Sequence, residues 1–254
     1  MAVVIIIRLV CLYLFPNNAV HLLPMKILFL HGALASMHQF DELRKQLPSP
    51  YQTYALNFSG HGGKTIPLGG LNFDAFTKDI LDFLDSEKID RINLFGFSMG
   101  GYAALHFASR YPQRVEKIMT LNVKFKWDAA STLKETAMLD PDKMLEKVPF
   151  FANNLMVQHG MNMWKQLLNS TSDMMHNLSN TKPLQPEELA KIYHEVLLGL
   201  GEKDNTSSLT ETMEIRDQLA HASLLVIPNA PHPFEKMSVP RLVFEITDFF
   251  APAS

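Results

Sequence analysis

One stretch constrains this chain more than any other: residues 91–112, reading RINLFGFSMGGYAALHFASRYP. It opens with an apolar, strand-like run (Ile92, Leu94, Phe95) and turns through small residues. It then continues with apolar positions that recur every three to four residues, Tyr102, Leu105 and Ala108 beside Ala103 and Phe107, as in a helix. Between the two lies Gly96-Phe97-Ser98-Met99-Gly100, a G-x-S-x-G pattern. A serine hydroxyl is a poor nucleophile unless a tight strand-to-helix turn lifts it clear of the backbone, within reach of a base. Glycines at 96, 100 and 101 leave room for such a turn and for close helix packing. The N–H of Met99, at the helix start, can then stabilise a developing oxyanion.

Strands and helices alternate on either side of this turn. Met25–Leu30 is a continuous apolar run, as in a buried parallel strand. It leads into His31-Gly32-Ala33-Leu34-Ala35-Ser36, and a helix over 36–47 is closed by Pro48 and Pro50. Residues 51–58 read as a strand ending in Ser59-Gly60-His61-Gly62-Gly63, and 73–87 as an amphipathic helix burying Phe76, Ile80, Phe83 and Leu84. Further strands are expected at 115–122, 195–201 and 223–228, with helices at 208–220 and 238–250. Residues 129–193 lack strand alternation, are helical in character and carry Met138, Met144, Met156, Met161, Met163, Met174 and Met175. Those methionines suit either a pocket for a flexible acyl group or simple packing.

In this setting residues 25–250 resemble the α/β-hydrolase superfamily, with the G-x-S-x-G turn as its nucleophile elbow and the chain as a serine esterase/lipase-like member with a helical cap. The resemblance implies an α/β fold: a mostly parallel sheet of about six strands flanked by helices, the cap inserted before the penultimate strand. The core is then 25–128 and 194–254, the cap 129–193, and 1–24 an N-terminal extension or extra strand. The family's first two antiparallel strands are missing here, or replaced by residues 3–14. In the family the catalytic acid follows the penultimate strand and the histidine follows the last, so Ser98, Asp204 and His232 match in the order Ser…Asp…His. Asp128, after the strand at 115–122, is a second candidate acid; Asp204 is favoured because the helix and strand between it and His232 form one crossover. The HG-x motif at His31 makes the Ala33 N–H the second oxyanion donor, opposite Met99. His31, Leu34, Lys124 and Trp127 are candidate substrate-lining residues, with loop orientation the preferred role for His31. His61, in the family's G-H-G turn, is read as structural.

Composition narrows the function. With 47% hydrophobic and 19% charged residues and a net charge of −3, nothing favours nucleic acid or an anionic membrane. One cysteine, Cys11, excludes a disulfide framework and a cysteine-based zinc site. His159 and His176 lack ligand-like partners at i+4, and the Gly-rich turns lack a phosphate-cradle pattern, so neither metal nor cofactor is expected. Residues 1–24 carry Arg8 inside a short apolar run, a poor fit to a signal peptide or a membrane span. A cytoplasmic enzyme without stable membrane insertion is expected, export or anchoring through residues 1–24 being the alternative; oligomeric state is left open. The expected activity is hydrolysis of a carboxylic ester or thioester of a small apolar substrate through an acyl-enzyme on Ser98. Two alternatives remain: a same-fold lyase resembling the menaquinone-pathway synthases, and a non-catalytic ligand-binding member. The first needs clustered arginines for a multiply anionic substrate, and 129–193 contains none.

Overall fold

The computed structural model describes residues 24–181 and 183–252. The expected extra strand within residues 1–24 therefore lies outside the described residues, Pro24 excepted. Six strands form a single parallel sheet: β1 (Met25–Leu30), β2 (Tyr51–Ala55), β3 (Ile92–Phe97), β4 (Val115–Leu121), β5 (Glu195–Lys203) and β6 (Ala222–Pro231). Their spatial order is β2-β1-β3-β4-β5-β6. The helices are α1 (Asp41–Gln46, after a 3₁₀ turn Met37–Phe40), α2 (Phe73–Ser86), α3 (Met99–Arg110), α4 (Ala129–Thr136), α5 (Pro141–Lys147), α6 (Pro149–His159), α7 (Trp164–Thr181), α8 (Pro186–Leu189), α9 (Leu209–Arg216) and α10 (Val239–Phe249).

The apolar runs explain the layering. Along β1, Leu28 and Leu30 join the core under α2 and α3, while Ile27 and Phe29 join the core under α1 and α10. Along β3, Leu94 faces the first core and Phe95 and Phe97 the second. A strand buried on both faces has no polar side, which is why these runs are continuous rather than alternating. Between β4 and β5 the chain leaves the sheet for α4 to α8, and part of this stretch has its own apolar cluster: Leu139, Met144, Ala152, Leu155, Trp164 and Leu168. Among the described residues no helix is long and apolar enough to cross a membrane.

Topology fixes where a site can form. The chain steps from β1 outward to β2, then returns across β1 to β3 and continues the other way. Loops leaving the carboxyl ends of β1 and β3 therefore diverge, and a crevice opens between them. That crevice is framed by the 31–36 loop and the turn at Ser98. α3 can start this close to β1 because Gly100 has no side chain: a Cβ there would meet the Leu30 carbonyl. Gly96 likewise backs directly onto Gly100 and Gly101.

Candidate active site

The turn at Ser98 is strained and firmly held. Ser98 has φ 51 and ψ −118, a conformation that side chains disfavour and that costs about 1–3 kcal/mol. Its N–H donates to Leu121 O on β4 at 2.9 Å, and its carbonyl accepts from Gly101 and Tyr102 N–H. Met99 occupies the first position of α3, where an N–H has no intrahelical acceptor. Across the crevice, the N–H groups of Gly32, Leu34 and Ala35 are taken by Gln39 Oε1, His61 Nε2 and Gly32 O. The N–H of Ala33, between Gly32 and Leu34, has no acceptor among the described residues.

β5 and β6 bring together two residues distant in sequence. Their pairing extends past Gly201 to Lys203↔Pro231, beyond the strand ends expected at 201 and 228, so Asp204 and His232 leave the sheet side by side. His232 Nδ1 donates to Asp204 Oδ2 at 2.8 Å, which leaves Nε2 as the free acceptor. The carboxylate also accepts from the Thr206 N–H (2.7 Å), the Ser207 N–H (2.9 Å) and the Ser207 hydroxyl (2.7 Å). Burial pushes the Asp204 carboxyl up, but His232 and the Ser207 and Thr206 donors outweigh it and hold the group below its usual value. Asp128 is committed elsewhere: it caps α4, accepting from the Ser131 N–H at 2.7 Å.

Ser98, Met99, Ala33 and His232 line one cavity of about 1310 Å³. Ser98 and His232 share its wall without a hydrogen bond between them. Leu34, Lys124 and Trp127 line it too, as do Met174 and Met175, two of the seven methionines singled out above. Of the rest, Met144 and Met156 pack into the helical cluster while Met138 and Met161 are exposed. His31 corrects the substrate-lining expectation: it is fully buried and off the cavity. Its Nδ1 donates to Gly32 O (2.8 Å) and its Nε2 accepts from the Phe58 N–H (3.2 Å), so it orients the loop.

One residue of the site is unmarked in the sequence, and two histidines gain specific partners. Asn122, buried at φ 55, accepts from the Gly201 N–H (2.7 Å) and donates to Pro231 O (3.1 Å), bracing the two loops that carry Asp204 and His232. No short motif marks such an amide. His61, expected to be structural, accepts from the Leu34 N–H through Nε2 (3.3 Å). His159, at the end of α6 and not expected to bind metal, donates through Nε2 to Leu34 O at 3.0 Å and accepts through Nδ1 from the Gly62 N–H at 3.0 Å. The loop beside Ala33 is thus clamped by two rings.

These buried rings make stability acid-sensitive. Each of His31, His61 and His159 accepts from a backbone N–H through one nitrogen, so a second ring proton has no acceptor. Burial lowers all three, His31 to about 4 from an ordinary 6.5. Below 6.5 the unfolded chain takes up protons that the native state refuses, so stability falls as pH drops. His31 alone contributes a loss of roughly 3 kcal/mol by pH 4, and Asp204 adds to it only below its ordinary 3.8. Thermal unfolding followed from pH 7.5 to 4.5 should show Tm dropping steadily below about pH 6.5. A flat Tm across that window contradicts the neutral, buried rings.

Comparison with known proteins agrees with this fold. A family model described as alpha/beta hydrolase fold matches residues 26–186. Over 95 residues the chain is 30% identical to a putative 2-succinyl-6-hydroxy-2,4-cyclohexadiene-1-carboxylate synthase of Bacillus subtilis, covering 37% of this chain and 34% of that protein. Over 98 residues it is 32% identical to an uncharacterized carboxylesterase, nap, of the same organism, covering 38% of this chain and 32% of that one. The matches thus span about a third of the length of these curated relatives. Among solved structures, 2-hydroxy-6-oxo-6-phenylhexa-2,4-dienoate hydrolase from Rhodococcus sp. superposes with a TM-score of 0.75 at 17% identity, covering 90% of this chain and 91% of that one. At that identity the likeness concerns the fold alone.

Proposed function

The chain belongs to the α/β-hydrolase fold family, and we propose from that premise that it is a serine hydrolase of carboxylic esters. The observation that carries the reading is the shared cavity, walled by a strained serine and by a histidine whose other nitrogen is bound to a buried carboxylate. In the proposed cycle Ser98 Oγ attacks the ester carbonyl carbon and its proton passes to His232 Nε2. Asp204 holds the tautomer and stabilises the imidazolium. The N–H groups of Ala33 and Met99 stabilise the oxyanion, each by ~3 kcal/mol. His232 then protonates the departing alcohol oxygen. Water, deprotonated by the same ring, attacks the acyl-enzyme carbonyl; the bond to Ser98 Oγ then breaks, the ring returns its proton to Oγ, and the acid leaves. The chemistry needs no cofactor.

Residues 129–193 serve in this reading as a cap over the cavity, with Met174 and Met175 shaping the acyl subsite. A synthase reaction on a multiply anionic substrate, as the name of one Bacillus relative implies for that protein, is disfavoured because no arginine appears among the described lining residues. The test is a panel of p-nitrophenyl esters from acetate to decanoate. Wild type should turn over some of them. The double variant Met174→Ala/Met175→Ala should shift preference toward longer chains by about tenfold in relative kcat/KM, the scale of one or two methylenes in an apolar pocket. Turnover of none of the esters contradicts the esterase reading. An unchanged profile in the double variant leaves these methionines a packing role.

A further inference from the structure

We propose that the site takes esters bearing a carboxylate at a distance from the scissile bond, and that Lys124 is the counter-ion for that group. The inference rests on the esterase reading and names its substrate class. The loop after β4 is rigidly built. The buried Glu211 accepts from the Phe125 N–H (3.1 Å) and the Lys126 N–H (2.8 Å), and Trp127 Nε1 donates back to Lys124 O at 3.2 Å. A lysine on such a loop is not an ordinary surface lysine. Its ammonium lies 5.4 Å from the centre of the Trp127 ring and donates to Thr206 O at 3.3 Å, two residues from Asp204.

Although the exposed Asp128, engaged with Ser131, lies within its field, no carboxylate pairs directly with Lys124. Its neighbour Lys126 pairs with Glu214 at 2.6 Å, while Lys124 has no carboxylate within ion-pair distance among the described residues. An ammonium has three N–H donors, and here a single neutral carbonyl takes one of them. Half-buried in the wall of a mostly apolar cavity, that cation raises the local preference for an anion above what it would be in water. Glu135, Glu235 and Lys236 also line the cavity, the last two exposed at its rim and opposite in sign. One held ammonium suits one carboxylate, which agrees with the absence of arginine among the described lining residues.

The carboxylate can sit on either side of the ester, and two substrate pairs separate those cases. p-Nitrophenyl hydrogen glutarate against p-nitrophenyl hexanoate tests the acyl side; 4-acetoxybenzoate against its methyl ester tests the alcohol side. For at least one pair, Lys124→Gln and Lys124→Met should lower the anionic-to-neutral ratio of kcat/KM by tenfold or more, mainly through KM. Lys124→Arg should restore most of it, and raised salt should erode the wild-type ratio. Ratios that stay the same in both pairs overturn the inference while leaving the esterase reading intact. Wild type that cleaves none of the four substrates overturns both.

Discussion

Replacing Ser98 by alanine is expected to lower kcat for any ester that wild type hydrolyses by ~10⁶-fold, with folding unchanged. The size follows from what the hydroxyl does: without it no acyl-enzyme forms, and only cavity binding and the oxyanion donors act on direct attack by water. Alanine removes one atom from a residue that makes no side-chain cap contact, so thermal stability should stay within about 1 kcal/mol of wild type. His232→Ala should lose a similar amount, and the double variant little more, because the two act as one unit. Steady-state rates beside unfolding curves for the three variants check this. Losses that multiply in the double variant speak against a shared step.

The second large effect concerns the acid. Asp204→Asn should lower kcat by ~10⁴-fold, since an amide in that place donates where the carboxylate accepts and turns the imidazole to the wrong tautomer. Here the amide would also face the donors of Thr206 and Ser207, so some loss of stability should accompany the loss of rate. Asp128→Asn should keep its activity near that of wild type, because asparagine caps a helix about as well as aspartate and Asp128 is engaged with Ser131. The reverse pattern would hand the acid role to Asp128.

Much of this was legible in the sequence, for reasons that lie in particular residues. Strands buried on both faces are mostly apolar, so β1 and β3 stand out despite Lys26 and the buried Asn93, and the G-x-S-x-G pattern marks a turn that needs glycine on both sides of the serine. Less visible was anything decided by partners far along the chain. β2 stops at Ala55 rather than running to 58, because the Phe58 N–H goes to the ring of His31 and the Asn57 side chain to the Met37 N–H. β5 and β6 run past their expected ends because they pair with each other there, beyond a register shift that composition does not encode. The roles of Asn122 and His159 depend on backbone groups tens of residues away. Which methionines face the cavity depends on how α7 packs, and helical spacing alone does not decide it.

The central claim is that Ser98 is the nucleophile, and covalent capture tests it most directly. The purified protein is treated with a fluorophosphonate, digested and mapped by mass spectrometry. One phosphonyl adduct is expected on the peptide containing Ser98, at a rate that falls with His232→Ala and with no adduct in Ser98→Ala. An adduct on another residue, or labelling that persists in Ser98→Ala, would contradict the account.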